Sequence, residues 1–313
     1  MSSALRSGVI PAPVMPFNLD ASPDWPTFER YMAELVEGGA SAIAVNMAAA
    51  EVTSLEHSEQ LEAVERTRRV VAGAVPVVAG LVATYTQGAA NLAKRLVDAG
   101  AEGLVVFPPL PTFSSKPIKP QMIADHHAGI AAAVDVPLVA FNTGNATYPK
   151  GTIKALAEIP TLVAIKDAAF NIELSAEMVD EAAETDGRIV VMTGNDTFIV
   201  EALLLGSPGA LIGYAGTATA ELVAMQRHAA AGRATEAYEI WGRLGPLARL
   251  IWSAPLRDYR PRMKYTLMRQ GVLPNMVTRA PQPGIEPADK AAIDALFDRY
   301  GYADARYRPR GRA

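Results

Sequence analysis

Short apolar runs alternate with longer amphipathic stretches along this chain. The runs are VIPAPVMPF (9–17), AIAVNMA (42–48), VPVVAGLVA (75–83), GLVVFPP (103–109), PLVAFNT (137–143), LVAIKDA (162–168), IVVMTGND (189–196) and ALIGYAG (210–216). They are rich in Val, Ile, Leu and Ala and do not alternate with polar residues, as expected of parallel strands covered on both faces. Between them lie helical patterns such as WPTFERYMAELVEGG, SEQLEAVERTRRVVAG and QGAANLAKRLVDAGA. Several close on Gly, the usual residue past a helix end. Eight strands, each followed by a helix, predict an α/β fold of the closed (β/α)8 TIM-barrel type over residues 1–232. A doubly wound open sheet would need a Gly-rich turn after the first strand, and VMPFNLDASPDW has none. Three further helical patterns, RATEAYEIWGRLGPLARLIW, RDYRPRMKYTLMRQG and PADKAAIDALFDRYG, predict a C-terminal helical extension over residues 233–313. No low-complexity linker precedes it, so it should pack on the barrel.

Composition narrows the partners. The 313 residues are half hydrophobic, enough for one large core. A net charge of −4, from 29 basic and 33 acidic residues, gives no pull toward nucleic acid or an anionic membrane. The chain has no cysteine, which excludes disulfides and thiolate metal sites and fits a reducing compartment. The opening MSSALRSGVIPAPVMPF lacks the apolar core of a signal peptide, and no run of about 18 apolar residues suggests a membrane span. A soluble, cytoplasmic protein is expected.

In such barrels chemistry sits at the C-terminal ends of the strands. That places Phe141, Asn142, Lys166, Asp167, Asp196 and Tyr214, among others, near a reaction centre. Lys166 stands out because it ends an apolar strand. Burial strips an ammonium of its hydration, and a lysine left neutral near pH 7 is a nucleophile for carbonyls. The alternative is a structural lysine, paired with Asp167 or reaching out to water.

Several segments add a resemblance. GVIPAPVMPFN, AEVTSLEHSEQ, AIKDAAFN, TGNDTFIVEALLLGSPGALIG and the tail PLRDYRPRMKYTLMRQGVLP together resemble the dihydrodipicolinate synthase and N-acetylneuraminate lyase superfamily, class I aldolases on (β/α)8 barrels. The resemblance covers nearly the whole chain. It implies that Lys166 forms a Schiff base with a carbonyl substrate and that the protein is a homo-oligomer, a tetramer of paired dimers. The apolar tail, with Trp241 and Trp252, would offer surface for that packing.

The chain also departs from the family pattern. Where the family carries Gly-Thr-Thr-Gly-Glu, this chain reads MAAAE, Met47 to Glu51, so the threonines that hold the keto-acid carboxylate fall on Ala48 and Ala49. The family's tyrosine proton shuttle falls on Phe141, next to Asn142. A Tyr-Tyr pair, one of which serves a neighbouring subunit, falls on Pro109 and Leu110. Ala146 stands near the arginine that serves the synthase's second substrate. Each change replaces a polar group by an apolar one. They predict a drier pocket, lined by Ala48, Ala49, Leu110, Phe141, Asn142 and Leu211, for a carbonyl compound less polar than pyruvate. They also argue against an authentic dihydrodipicolinate synthase. Tyr214, at the end of the eighth run, is the candidate replacement proton shuttle, and Glu51 is expected to support its loop.

No metal site is expected: His126 and His127 are adjacent on a predicted helix, not spaced i, i+4, and read as surface residues. No cofactor is expected either, because a lysine imine is itself an electron sink. Two functions fit. One is a Schiff-base lyase, aldolase or hydratase-aldolase acting on a 2-oxo acid or related carbonyl compound. The other is a weakened family member that binds a small molecule in a regulatory role.

Overall fold

The computed structural model describes residues 2–114 and 117–302. Residues 303–313 of the expected extension therefore lie outside the described residues. The first half of the barrel comprises β1 (Gly8–Pro11), α1 (Trp25–Glu37), β2 (Ile43–Val45), α2 (His57–Val71), β3 (Val77–Leu81), α3 (Thr86–Asp98) and β4 (Gly103–Val106). A short α4 (Leu110–Ser114) and α5 (Pro120–Ala131) follow. The second half comprises β5 (Leu138–Thr143), α6 (Thr152–Ala157), β6 (Leu162–Ala168), α7 (Ile172–Ala183), β7 (Val190–Thr193), α8 (Ile199–Leu204), β8 (Gly209–Ile212) and α9 (Thr219–Ala230). The tail forms α10 (Ala234–Ile251), α11 (Tyr259–Arg269) and α12 (Pro287–Tyr300).

Local rules account for the elements. In α1, Asp24 caps the start by accepting from the Thr27 amide at 3.1 Å. Its buried residues Phe28, Tyr31, Met32 and Leu35 recur at the spacing of one helical face. The strands pair in parallel in the order β1-β8-β7-β6-β5-β4-β3-β2. The Ser41 amide donates to Val9 O at 2.9 Å, joining β1 to the approach to β2. The result is the expected (β/α)8 barrel.

Period-two alternation separates the two faces of each strand. Ile10, Ala44, Val78, Val105, Val139, Ala164, Met192 and Leu211 belong to the cluster filling the barrel. Val9, Val45, Leu104, Ala140 and Ile165 belong to the larger core under the helices. The eighth strand ends at Ile212, and Tyr214–Gly216 form a 3-10 turn. The sequence run suggested a longer strand, and the difference moves Tyr214.

Tail residues reach the barrel: Gln270 Nε2 donates to Thr217 O and Asn275 Nδ2 to Phe17 O, each at 3.0 Å. Arg262 Nε donates to Asp289 at 2.8 Å and Tyr265 Oη to Asp294 at 2.9 Å, holding α12 on α11. Trp241 and Trp252 are buried within the protomer, so they do not offer the intersubunit surface expected of them. Exposed apolar side chains in this part of the surface are instead Leu204, Leu205 and Tyr238. No helix among the described residues is long and apolar enough to cross a membrane.

Candidate active site

Strand β6 explains its own lysine. In register, Lys166 lies between Phe141 on β5 and Met192 on β7. Alternation sends Lys166 inward and Asp167 outward. Asp167 is consumed there: its carboxylate accepts from Asn142 Nδ2 at 2.7 Å, from Asn195 Nδ2 at 2.8 Å and from the Ser175 hydroxyl. Pairing of Lys166 with Asp167 is therefore not what holds the lysine. Lys166 is 6% exposed and makes no hydrogen bond or ion pair among the described residues. Its Nζ sits 4.3 Å from the centroid of the Phe141 ring. Gly194 leaves it room, since a Cβ at that position would come within 2.8 Å of Lys166 Cε.

The cavity around this amine has a volume of about 290 Å³. Met47, Ala48, Ala49, Phe141 and Ala168 give it a largely apolar wall, with Trp252 and Leu256 added from the tail. Asp196, Tyr259 and Arg260 bring the charged and phenolic groups besides Lys166. Burial lowers the Lys166 amine to about 8, against the opposing pull of the Asp196 carboxylate. Burial likewise raises Asp196 to about 7, although the Tyr214 amide donates to its Oδ1 at 2.7 Å and Lys166 attracts it. For both groups desolvation outweighs the pairing, which leaves an amine and a carboxyl that change protonation near neutrality. Burial also pushes the Tyr259 phenol up, to about 12, so it stays protonated.

The expected site residues divide. Lys166, Ala48, Ala49 and Phe141 come together around the cavity. Asn142 does not, because it follows Phe141 on the outward face; its side chain donates to Asp167 and accepts from the Tyr148 amide at 2.8 Å. Leu211 points inward but sits within the barrel filling, paired in register with Ile10, and does not line the cavity. Leu110 begins the short α4 on the outside and is 57% exposed. Tyr214 faces away: its hydroxyl donates to Leu244 O of α10 at 3.0 Å, because the chain has already turned at Gly213. Its backbone, not its phenol, touches the site. Ala146 is buried and outside the cavity lining.

His126 and His127 are a further correction. Both are buried on α5, where burial drives each to about 4. His126 Nδ1 pairs with Thr86 Oγ1 at 3.0 Å, and His127 Nδ1 with Ile123 O at 2.7 Å. Among the described residues no three His, Asp or Glu side chains converge as metal ligands. The features missing from the sequence reading are the role of Asp196 and the contribution of Trp252, Tyr259 and Arg260. The tail segment PLRDYRPRMK carries the last two as an adjacent pair, which was the available signal.

Comparison with known proteins bears on the family and the fold. A model of the dihydrodipicolinate synthetase family matches residues 5–298. The chain is 30% identical over 255 residues to the 4-hydroxy-tetrahydrodipicolinate synthase of Cellvibrio japonicus (strain Ueda107), covering 80% of this chain and 85% of that protein. A crystal structure of a dihydrodipicolinate synthase superposes with a TM-score of 0.84 at 26% identity, covering 95% of this chain and 99% of that one. A monomeric dihydrodipicolinate synthase variant shares the fold, with a TM-score of 0.86 at 22% identity over 95% of this chain and 97% of that one.

Proposed function

The chain belongs to the dihydrodipicolinate synthetase family, and from that premise we propose that it is a Schiff-base lyase or aldolase, or a hydratase-aldolase, acting on a 2-oxo acid or related carbonyl compound. The observation that carries this reading is Lys166: a buried amine with no hydrogen bond or ion pair among the described residues, lowered to about 8, lining the cavity. The neutral amine adds to the substrate carbonyl carbon. Proton transfer and loss of water give the protonated imine. Breaking the C–C bond next to the carbon beside that imine, while a base takes the proton of the departing fragment's hydroxyl so that it leaves as an aldehyde, sends the electron pair toward the imine nitrogen and leaves an enamine. Protonation at carbon, then addition of water, returns the product carbonyl and the free amine. Asp196, raised to about 7, is the group suited to exchange protons during these steps, in place of the tyrosine expected from the family pattern.

The same reading treats the protein as distinct from an authentic dihydrodipicolinate synthase, because Ala48, Ala49 and Phe141 line the cavity where the family pattern has hydroxyl groups. It also includes a cytoplasmic homotetramer, for which kinship with a family of soluble enzymes is the support. The titrating pair Lys166 and Asp196 favours catalysis over a purely regulatory binding role. The test is borohydride reduction of the protein with a panel of 2-oxo acids and aldehydes, read by intact mass. At least one should leave a stable adduct of one substrate per chain. No adduct with any of them would count against the reading.

A further inference from the structure

We propose that Arg260, carried into the cavity by the C-terminal helix α11, is the anion-binding residue of the site and takes a carboxylate of the carbonyl substrate. Arg260 lines the same cavity as Lys166. Its Nε donates to Ala48 O at 2.7 Å and its Nη1 to Gln282 Oε1 at 3.3 Å. Neither acceptor carries a charge, and Arg260 makes no ion pair among the described residues. A guanidinium has five N–H donors, so three remain, including both on Nη2. Other arginines at the barrel and tail, such as Arg262 and Arg279, are bound to carboxylates at Asp289 and Glu59. Arg260 has no such carboxylate among the described residues, and it is the arginine that lines the cavity.

The guanidinium is also held in place before any ligand arrives. The bond to Ala48 O fixes it beside the Ala48–Ala49 turn, and its Cζ lies 4.8 Å from the Tyr259 ring centroid. Tyr259 in turn stacks on Trp252 at 5.3 Å with the rings 16° apart. Further along α11, Lys264 is locked to Glu51. A fixed cation in a partly dry cavity favours an anion far more than a mobile one does. Lys166, Arg260 and one carboxyl, Asp196, all line the cavity. Lys166 attacks as the neutral amine and is then tied up in the imine, so Arg260 is the cation left to hold the substrate's negative group. The loss of hydroxyls at Ala48 and Ala49 therefore does not leave the cavity without an anchor: the anchor comes from the tail, more than 200 residues downstream.

The inference rests on the Schiff-base reading for the position of the carbonyl carbon, and the experiment keeps the two apart. Matched ligands are compared: 2-oxobutanoate with 2-oxobutanamide, and 4-oxobutanoate with 4-oxobutanamide, so that charge changes while shape is kept. The concentration giving half-maximal borohydride-reduced adduct is measured for each. For at least one pair the wild-type protein should favour the acid about 10- to 100-fold. Arg260→Met should reduce that preference below about threefold, with the acid's capture weakened more than the amide's. Arg260→Lys should keep part of it, and Arg260→Gln replaces Arg260→Met should the latter not fold. Wild-type protein indifferent to charge in both pairs, or an undiminished preference in Arg260→Met, would overturn the proposal. If nothing is trapped, the Schiff-base reading fails. The same pairs measured by calorimetry then decide on Arg260 alone: an acid preference lost in Arg260→Met supports it, and its absence in the wild type or survival in the variant overturns it.

Discussion

Lys264 Nζ donates to Glu51 Oε1 at 2.5 Å, and both side chains are almost completely buried. The pair joins α11 to the turn after β2. Lys264 also donates to Val277 O at 2.7 Å and lies 4.2 Å from the Phe17 ring centroid, while Glu51 Oε2 accepts from the Arg279 amide at 2.9 Å. The contact therefore sets where the start of α11, with Tyr259 and Arg260, meets the barrel mouth.

Removing one partner leaves the other charge buried without its counter-ion. Lys264→Met should cost about 3–5 kcal/mol of stability, and Glu51→Gln a similar amount. Urea denaturation checks this through the midpoint at unchanged slope. A change below about 1 kcal/mol would mean that the tail is held by its apolar packing alone.

Much of the fold was legible because it depends on pattern. Buried strands read as apolar runs, and LVAIKDA matches β6 from end to end. Lys166 was legible because an amine in such a run has few structural uses. The misplaced residues share a cause: sequence position near a strand end does not fix direction. Phe141 and Asn142 are neighbours in sequence but lie on opposite faces of β5. Tyr214 falls two residues past the end of β8, where a 3-10 turn replaces the alternation. His126 and His127 are polar by type, yet hydrogen bonds to Thr86 and Ile123 let α5 bury them as neutral rings. For Arg260 and Tyr259 the adjacent pair in PLRDYRPRMK was visible, but no periodicity says where a tail helix will dock.

The protonation of Lys166 predicts a pH profile. Only the neutral amine attacks a carbonyl, so the initial rate of imine formation below saturation should rise with pH, with a midpoint near 8 instead of the ordinary lysine value. Asp196 favours the ammonium form. Asp196→Asn removes that charge while its amide oxygen can still accept from Tyr214, so the midpoint should move to lower pH. Aliquots quenched with borohydride at each pH give the curve; a shift to higher pH in the variant would contradict the assigned electrostatics.

The altered wall predicts a change in preference. Phe141→Tyr with Ala48→Thr and Ala49→Thr restores three hydroxyl groups around the amine. Capture of pyruvate, measured as the concentration for half-maximal reduced adduct, should improve about 10- to 100-fold over the wild type. Equal capture by both proteins would show that these positions do not govern the choice.

Exposed Leu204, Leu205 and Tyr238 leave apolar surface for a second copy of the chain. A tetramer is expected by sedimentation at micromolar concentration. A single species near 33 kDa, the monomeric behaviour described for the related variant with the same fold, would refute it.

The central claim is that Lys166 is the nucleophile. Its most direct test is the position of the reduced adduct. A ligand trapped on the wild-type protein by borohydride is digested with it, and the modified peptide is sequenced by mass spectrometry. The adduct should map to Lys166, and Lys166→Ala should give none under the same conditions. An adduct at Lys150, Lys154 or Lys264, or one that persists in Lys166→Ala, would contradict the account.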